Sequence, residues 1–128
     1  KSIYLWFKKT NSNYQQKDFY KIYIDFPKDK LVERIHLRAQ EMLKKGAISE
    51  VKKFNSLKVR NDKTAYKAIG IREVNEYLQK KIKIAQVIEK ISIKTRQYAK
   101  RQRTWANGNM QNWNKINPLQ LTDFLKKI

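Results

Sequence analysis

Apolar residues in this chain recur mostly at spacings of three and four, the period of an amphipathic helix. One segment departs from that rhythm. Lys21-Ile22-Tyr23-Ile24-Asp25-Phe26 reads as a strand, stopped by Pro27, and it is the only convincing strand in the sequence. A lone strand can neither satisfy its own backbone nor bury two faces, so its partners are expected in another chain or in sequence that is absent here. Ahead of it, Lys1 to Lys9 mix apolar and basic residues without a clear period, and Asn11 to Lys17 reads as a polar loop.

Beyond Pro27, Asp29 is the expected N-cap of a helix running to about Lys45, with Gly46 supplying the turn at its end. Its apolar stripe is Leu31, Ile35 and Met42, and Arg38 falls inside it. A short helix follows from Ile48 to about Leu57, with Ile48, Val51, and Phe54 or Leu57 turned inward. Residues Lys58 to Lys67 are basic and loop-like. Ala68-Ile69-Gly70-Ile71-Arg72-Glu73-Val74 then leads into a helix through Leu78. A glycine inside a helix costs about 1 kcal/mol relative to alanine, so Gly70 signals a helix start or close approach by something large.

The longest element is predicted from about Ile84 to Trp105, on a stripe of Ile84, Val87, Ile88, Ile91, Thr95, Tyr98, Gln102 and Trp105. Asn107-Gly108-Asn109 ends it. A polar loop containing Trp113 leads to Asn117-Pro118 and a last amphipathic helix bearing Leu119, Leu121, Phe124 and Leu125. There is no internal repeat. The pattern as a whole predicts a mostly α protein with one core strand at about residues 21–26.

Composition narrows the chemistry. The 128 residues carry 30 Lys and Arg against 11 Asp and Glu, a formal net charge of +19. Such an excess attracts nucleic acid or anionic lipid, although the Lys, Asn and Ile enrichment of an AT-rich genome would produce it too. The absence of cysteine removes disulfides, thiolate zinc sites and cysteine nucleophiles. A single histidine, His36, gives little support to an imidazole metal cage or a serine–histidine triad. No apolar run approaches the roughly 20 residues of a membrane span, and no signal-peptide pattern opens the chain. These features predict a soluble, basic, intracellular protein.

Two places carry candidate chemistry. Arg38 lies on a face that should be buried, where a guanidinium cannot lose its charge. It marks either an anion site facing a cleft or a packed stem whose head reaches water or a carboxylate. His36 points away from that stripe and reads as a surface residue without a role. The second place is the cationic half of the longest helix. Its five charges Lys94, Arg96, Lys100, Arg101 and Arg103 repel one another. Contact with RNA or DNA phosphates would relieve that repulsion, and Gln102 and Trp105 add hydrogen bonding and stacking. The alternative is a solvated face with its aromatics in the core, the reading preferred for Tyr98.

The block Thr95-Arg96-Gln97-Tyr98-Ala99-Lys100-Arg101-Gln102-Arg103-Thr104-Trp105 resembles the Thr-Arg-Gln-x-Ala-Lys-Arg-Gln-x-Thr-Trp run of the tRNA dimethylallyltransferases, or isopentenyl transferases. Weaker blocks follow that family's order. Leu31, Arg34, Ile35, Arg38, Met42 and Gly46 match its Leu-x-x-Arg-Ile-x-x-Arg-x-x-x-Met-x-x-x-Gly helix. Ala68 through Leu78 is similar to its Ile-Gly-Tyr-Arg-Glu segment, and Lys1-Ser2 with Trp6 to the end of its Thr-Gly-Lys-x-x-Ser-x-Trp run. The resemblance spans essentially the whole chain. Ile71 stands where the family has Tyr, and Ala106-Asn107 where an aromatic or Leu followed by Arg is typical.

The resemblance implies the C-terminal part of a P-loop kinase-like α/β fold, with residues 1–128 a C-terminal fragment of the catalytic domain. It implies transfer of dimethylallyl from its diphosphate to N6 of the adenine 3′ to the anticodon. It assigns Arg38 to the diphosphate, and Lys67, Ala68, Ile69, Gly70, Ile71 and Arg72 to tRNA. Lys100, Arg101, Gln102, Arg103, Thr104, Trp105, Ala106 and Asn107 are assigned to tRNA as well. The family's Gly-x-x-x-x-Gly-Lys-Ser/Thr loop is absent among only three glycines. Its catalytic Asp belongs with that loop in the N-terminal half, and Asp18, Asp25, Asp29, Asp62 and Asp123 do not match it. No catalytic residue and no metal ligand is therefore expected in this chain, and Mg²⁺ is expected to bind upstream residues in the complete enzyme. The expected partner is a tRNA anticodon stem-loop, with a separate N-terminal half as a second, in a cytoplasmic enzyme that is a monomer when complete, and no membrane. Alternatives are a non-catalytic basic RNA-binding module and the remnant of a disrupted gene.

Overall fold

A computed structural model of the chain describes residues 2–11, 13–60 and 63–126. Lys1 of the proposed Lys1-Ser2 match and Asp62 lie outside the described residues. The chain divides into two compact units, one of residues 26–111 and one formed by the segments before and after it.

The larger unit is helical. Helix α2 spans Lys28–Lys44, α3 Ala47–Ser56, α4 Ile71–Leu78 and α5 Ile84–Asn109, while the smaller unit holds α1, Ile3–Lys9. Pro27, not Asp29, takes the cap position of α2, with no side-chain cap bond. The proline ring blocks helix continuation backwards, and Asp29 falls in the first turn, where its carboxylate complements the helix dipole. Gly46 sits between α2 and α3 at φ +111°, a left-handed conformation that allows the chain to reverse within one residue.

The core joins Ala39 and Leu43 of α2, Ala47 and Val51 of α3, Val74 of α4, and Val87 and Ile91 of α5. Helix α5 packs against α2 and α4, and α3 against both α2 and α4. Val74 and Val87 are fully enclosed. The buried line of α2 is Ile35, Ala39 and Leu43, with Leu31 and Met42 half-buried beside it. This turns Arg38 to the exposed side, correcting its expected place in the apolar stripe. On α3, Phe54 is half-buried and Leu57 is exposed, which resolves that alternative.

Helix α5 follows its predicted stripe only from Val87 through Thr95, and Ile84 is exposed. Thereafter the inward positions are Ala99 and Arg103, both half-buried, and the buried Ala106. Tyr98 is 51% and Trp105 59% exposed, so Tyr98 does not join the core as expected. Apart from Arg103, this inward line takes small residues, whose short side chains let a helix approach its neighbour closely. A stripe drawn through the large apolar residues misses it.

In the smaller unit, β1 (Ile22–Ile24) pairs in parallel with β2 (Asn114–Ile116), Ile22 opposite Asn114 and Ile24 opposite Ile116. The Asp25 N–H donates to the Ile116 carbonyl at 3.0 Å, and the Asn114 N–H to that of Lys21 at 2.9 Å. The predicted strand thus has a partner within this chain, in a stretch expected to be loop. Asn114-Lys115-Ile116 is too short and polar to show alternation. Two strands of three residues do not complete a sheet layer on their own.

Helix α1 was not legible as a period because Ile3 to Phe7 are apolar without interruption; all five are more than half exposed. Ser2 caps it, its Oγ accepting from the Tyr4 N–H at 3.2 Å. The last predicted helix divides into a 3₁₀ turn, Pro118–Gln120, and α6, Leu121–Leu125. Phe124 of α6 stacks against Tyr20 with centroids 5.7 Å apart.

Candidate nucleic-acid interface

Two stretches of the larger unit bring cations together. The first is the approach to α4. A 3₁₀ turn, Thr64–Lys67, is followed by Ala68 and Ile69, both exposed, and by the buried Gly70 at φ +110°. A Cβ on Gly70 would meet Met42 Cε at 3.7 Å and Ile91 Cδ1 at 3.8 Å, ordinary contact distances. Glycine is required there by the positive φ, not by lack of space. The Gly70 N–H donates to Glu73 Oε2 at 2.9 Å, so Glu73 caps its own helix.

Glu73 is buried, 2% exposed, and its other oxygen accepts from Lys94 Nζ of α5. Burial by itself would push this carboxyl up. The Lys94 ammonium and the backbone N–H groups of Glu73 and Gly70 outweigh it and hold the group below the ordinary carboxylate range. One turn on, Glu76 accepts from Lys90 Nζ at 2.6 Å and pairs with Arg72 Nε at 3.4 Å. The Lys90 hydrogen bond likewise holds the Glu76 carboxyl below its ordinary value. Lys67, Ile69, Arg72, Glu73 and Lys94 line a cleft of about 460 Å³ at this joint.

The second stretch is a groove of about 590 Å³ between α2 and α5. Its floor is apolar, from Leu31, Val32, Ile35 and Ile93, and its rim carries Lys28, Arg96, Lys100 and Arg103. Gln97, Thr104 and Asn107 add polar groups. Among the described residues, no acidic side chain lines it. Arg103 Nη2 donates to the Phe26 carbonyl oxygen at 3.1 Å, and the Arg34 guanidinium stands 5.6 Å over the Phe26 ring.

The expected site residues divide accordingly. Lys67, Ala68, Ile69 and Arg72 line the first cleft, whereas Gly70, buried, and Ile71, half-buried, are not among its lining residues. Lys100, Arg103, Thr104 and Asn107 line the second. Arg101, Gln102 and Trp105 are exposed on α5 outside both, with the Arg101 guanidinium 6.0 Å from the Tyr98 ring centre. Ala106 is buried. Arg38 is exposed and lines neither groove. His36 is exposed as expected and contacts Gln40 at 3.1 Å. From Lys94 to Lys100 the helix rises about 9 Å, so both cationic stretches are arranged along α5.

Sequence reasoning missed the Glu73–Lys94 pair and the groove's Gln97 and Lys28. A signal existed for Glu73 as a cap, since a carboxylate three residues beyond a helix-start residue is a capping pattern, but none for its pairing with Lys94. Among the described residues no group of three or more His, Cys, Asp or Glu side chains could hold a metal, and no helix is long and apolar enough to cross a membrane.

The family model described as IPP transferase matches residues 1–109. A tRNA dimethylallyltransferase of Pelagibacter ubique is 50% identical over 127 residues, 99% of this chain and 41% of that protein. One from Agrobacterium fabrum is 42% identical over 89 residues, 69% of this chain and 30% of the relative. The full-length tRNA isopentenylpyrophosphate transferase of Bacillus halodurans superposes with a TM-score of 0.69 at 32% identity, covering 87% of this chain and 35% of that one. The corresponding transferase of Staphylococcus epidermidis gives 0.68 at 31% identity, covering 78% and 32%. The chain spans well under half the length of these relatives.

Proposed function

The chain belongs to the IPP transferase family, and we propose that it forms the C-terminal, tRNA-holding part of a tRNA dimethylallyltransferase. That enzyme moves a dimethylallyl group from its diphosphate to N6 of the adenine 3′ to the anticodon. The observation that carries the reading is the acid-free groove, where Lys28, Arg96, Lys100 and Arg103 rim an apolar floor. Phosphates neutralise such a row of cations, and the released counterions drive binding.

In this reading the anticodon stem-loop lies along α5. Lys100 and Arg103 meet its backbone beside Thr104 and Asn107, and Arg101, Gln102 and the exposed ring of Trp105 reach bases by hydrogen bonding and stacking. Lys67 and Arg72 hold a second stretch of backbone, with Ala68 to Ile71 setting how close it comes. Such a grip supports extrusion of the target adenine from its stack. Arg38, with its head in solvent, meets the diphosphate and stabilises the charge that grows as the C–O bond breaks.

The chain's own residues do not fit the remaining chemistry. Mg²⁺ on a diphosphate calls for carboxylates that the described residues do not group together. The phosphate loop and the proton-accepting Asp are assigned to the N-terminal half of the enzyme, which completes a P-loop kinase-like core and works in the cytoplasm as a monomer. The 128-residue chain alone therefore binds RNA without turnover.

Lysine acylation with and without an anticodon stem-loop tests the placement. Lys67 and Lys100 should become protected while Lys52 and Lys53, exposed on α3, stay reactive. Equal protection of all four would contradict it.

A further inference from the structure

We propose that Glu73 is a positioning residue for RNA recognition, fixing the loop and first turn of α4 that carry Lys67 to Arg72 onto the helix that carries Lys100 to Asn107. The inference rests on the tRNA-holding reading above and adds a residue to it.

Its two oxygens do different work. Oε2 accepts the N–H of Gly70, the residue whose positive φ turns the loop into α4. Oε1 accepts from Lys94, 21 positions away on α5. A cap alone would finish α4, and a salt bridge alone would join two helices. One carboxylate doing both fixes the loop backbone to α5. The side chain is 3% exposed, so it is screened little by solvent and has no room to swing out. One turn later Glu76 pairs with Arg72 of its own helix and with Lys90 of α5, a second tie between α4 and α5.

The pairs also sort the charges of α5. Lys90 and Lys94 are taken up by α4, whereas Arg96 and Lys100 have no acidic partner among the described residues. Arg96 and Lys100, which line the groove, are thus left open on the same helix whose Lys90 and Lys94 are paired with α4. Glu73 itself is buried and negative, so it cannot serve as a phosphate contact.

Positioning and simple electrostatics predict opposite signs for Glu73→Gln. Removing a negative charge and freeing Lys94 raises the general affinity of a +19 chain for RNA. Loss of positioning instead lowers the preference for an anticodon stem-loop over an unrelated hairpin. The readout is the ratio of the two Kd values, in which non-specific attraction cancels, measured on the whole chain below each variant's melting temperature. Glu73→Gln and Lys94→Gln should each reduce the ratio about threefold or more, and the double variant should reduce it no further, because both break one link. Lys94 is 45% exposed, so its variant carries the test if Glu73→Gln does not fold. An unchanged or raised ratio in the variants, or additive losses, would overturn the proposal while leaving the tRNA reading intact. A wild-type ratio of one would overturn that reading, and this inference with it.

Discussion

The Arg103 guanidinium donates a hydrogen bond to the backbone carbonyl of Phe26 at 3.1 Å, tying the last turns of α5 to the residue just ahead of α2. The same side chain borders the acid-free groove. Its stem is half-buried, so it acts on both packing and charge.

Arg103→Ala should therefore lower stability by about 1–2 kcal/mol, the worth of a charge-assisted hydrogen bond plus some packing. Arg103→Lys should recover only part of it, because an ammonium lacks the planar fork that reaches the carbonyl. Denaturant midpoints of the three chains decide this, and equal midpoints for Arg103→Ala and the wild type would contradict it.

Gly70→Ala and Gly108→Ala should differ in sign. Gly70 has φ +110°, and alanine there is destabilising by about 1 kcal/mol or more through backbone strain, although its Cβ finds room. Gly108 lies in the last turn of α5 with nothing within 4 Å of the added carbon, and alanine should stabilise by about a few tenths of a kcal/mol. Thermal unfolding of both variants reads the difference.

Acid should weaken the fold through Glu73. Its carboxyl is held below the ordinary value of 4.5, so the stability it contributes is fully present above that value. That contribution is lost as pH falls from 4.5 through the lower folded value. In Glu73→Gln that component of the pH dependence should disappear, which a series of unfolding curves across the acid range would measure. An identical acid profile in the variant would contradict the assignment.

Trp105 and Val87 separate binding from folding. Trp105 is 59% exposed, so Trp105→Ala should change stability by no more than about 0.5 kcal/mol. It should weaken stem-loop binding by about 1–3 kcal/mol, the worth of one stacked base. Val87 is fully buried, and Val87→Ala should cost about 1–3 kcal/mol of stability while leaving the binding of the folded fraction unchanged. Parallel melting and RNA titration distinguish the two.

Much of the helical scaffold was legible in the sequence. Gly46 and Gly70 marked helix boundaries because no other residue adopts their backbone angles without strain, and both sit at positive φ. What escaped has physical causes. Ala39, Ala47 and Ala106 carry buried positions although alanine adds little to an apolar pattern. Their weight displaced Arg38 and Tyr98 to the surface. Strand β2 is recognisable only by its pairing, and α1 hides in an unbroken apolar run. At the site, the density of cations on α5 and its motif were visible along the chain. The Glu73–Lys94 link was not, because its partners are brought together only by the packing of α4 on α5.

The central claim is that this cationic surface is built for a tRNA anticodon arm. Its most direct test is a salt titration of the chain against an anticodon stem-loop and an unrelated hairpin of equal length. The account predicts tighter binding of the stem-loop at every salt concentration, with a preference that persists as the shared electrostatic part is screened away. Identical affinities and identical salt slopes for the two RNAs would contradict it.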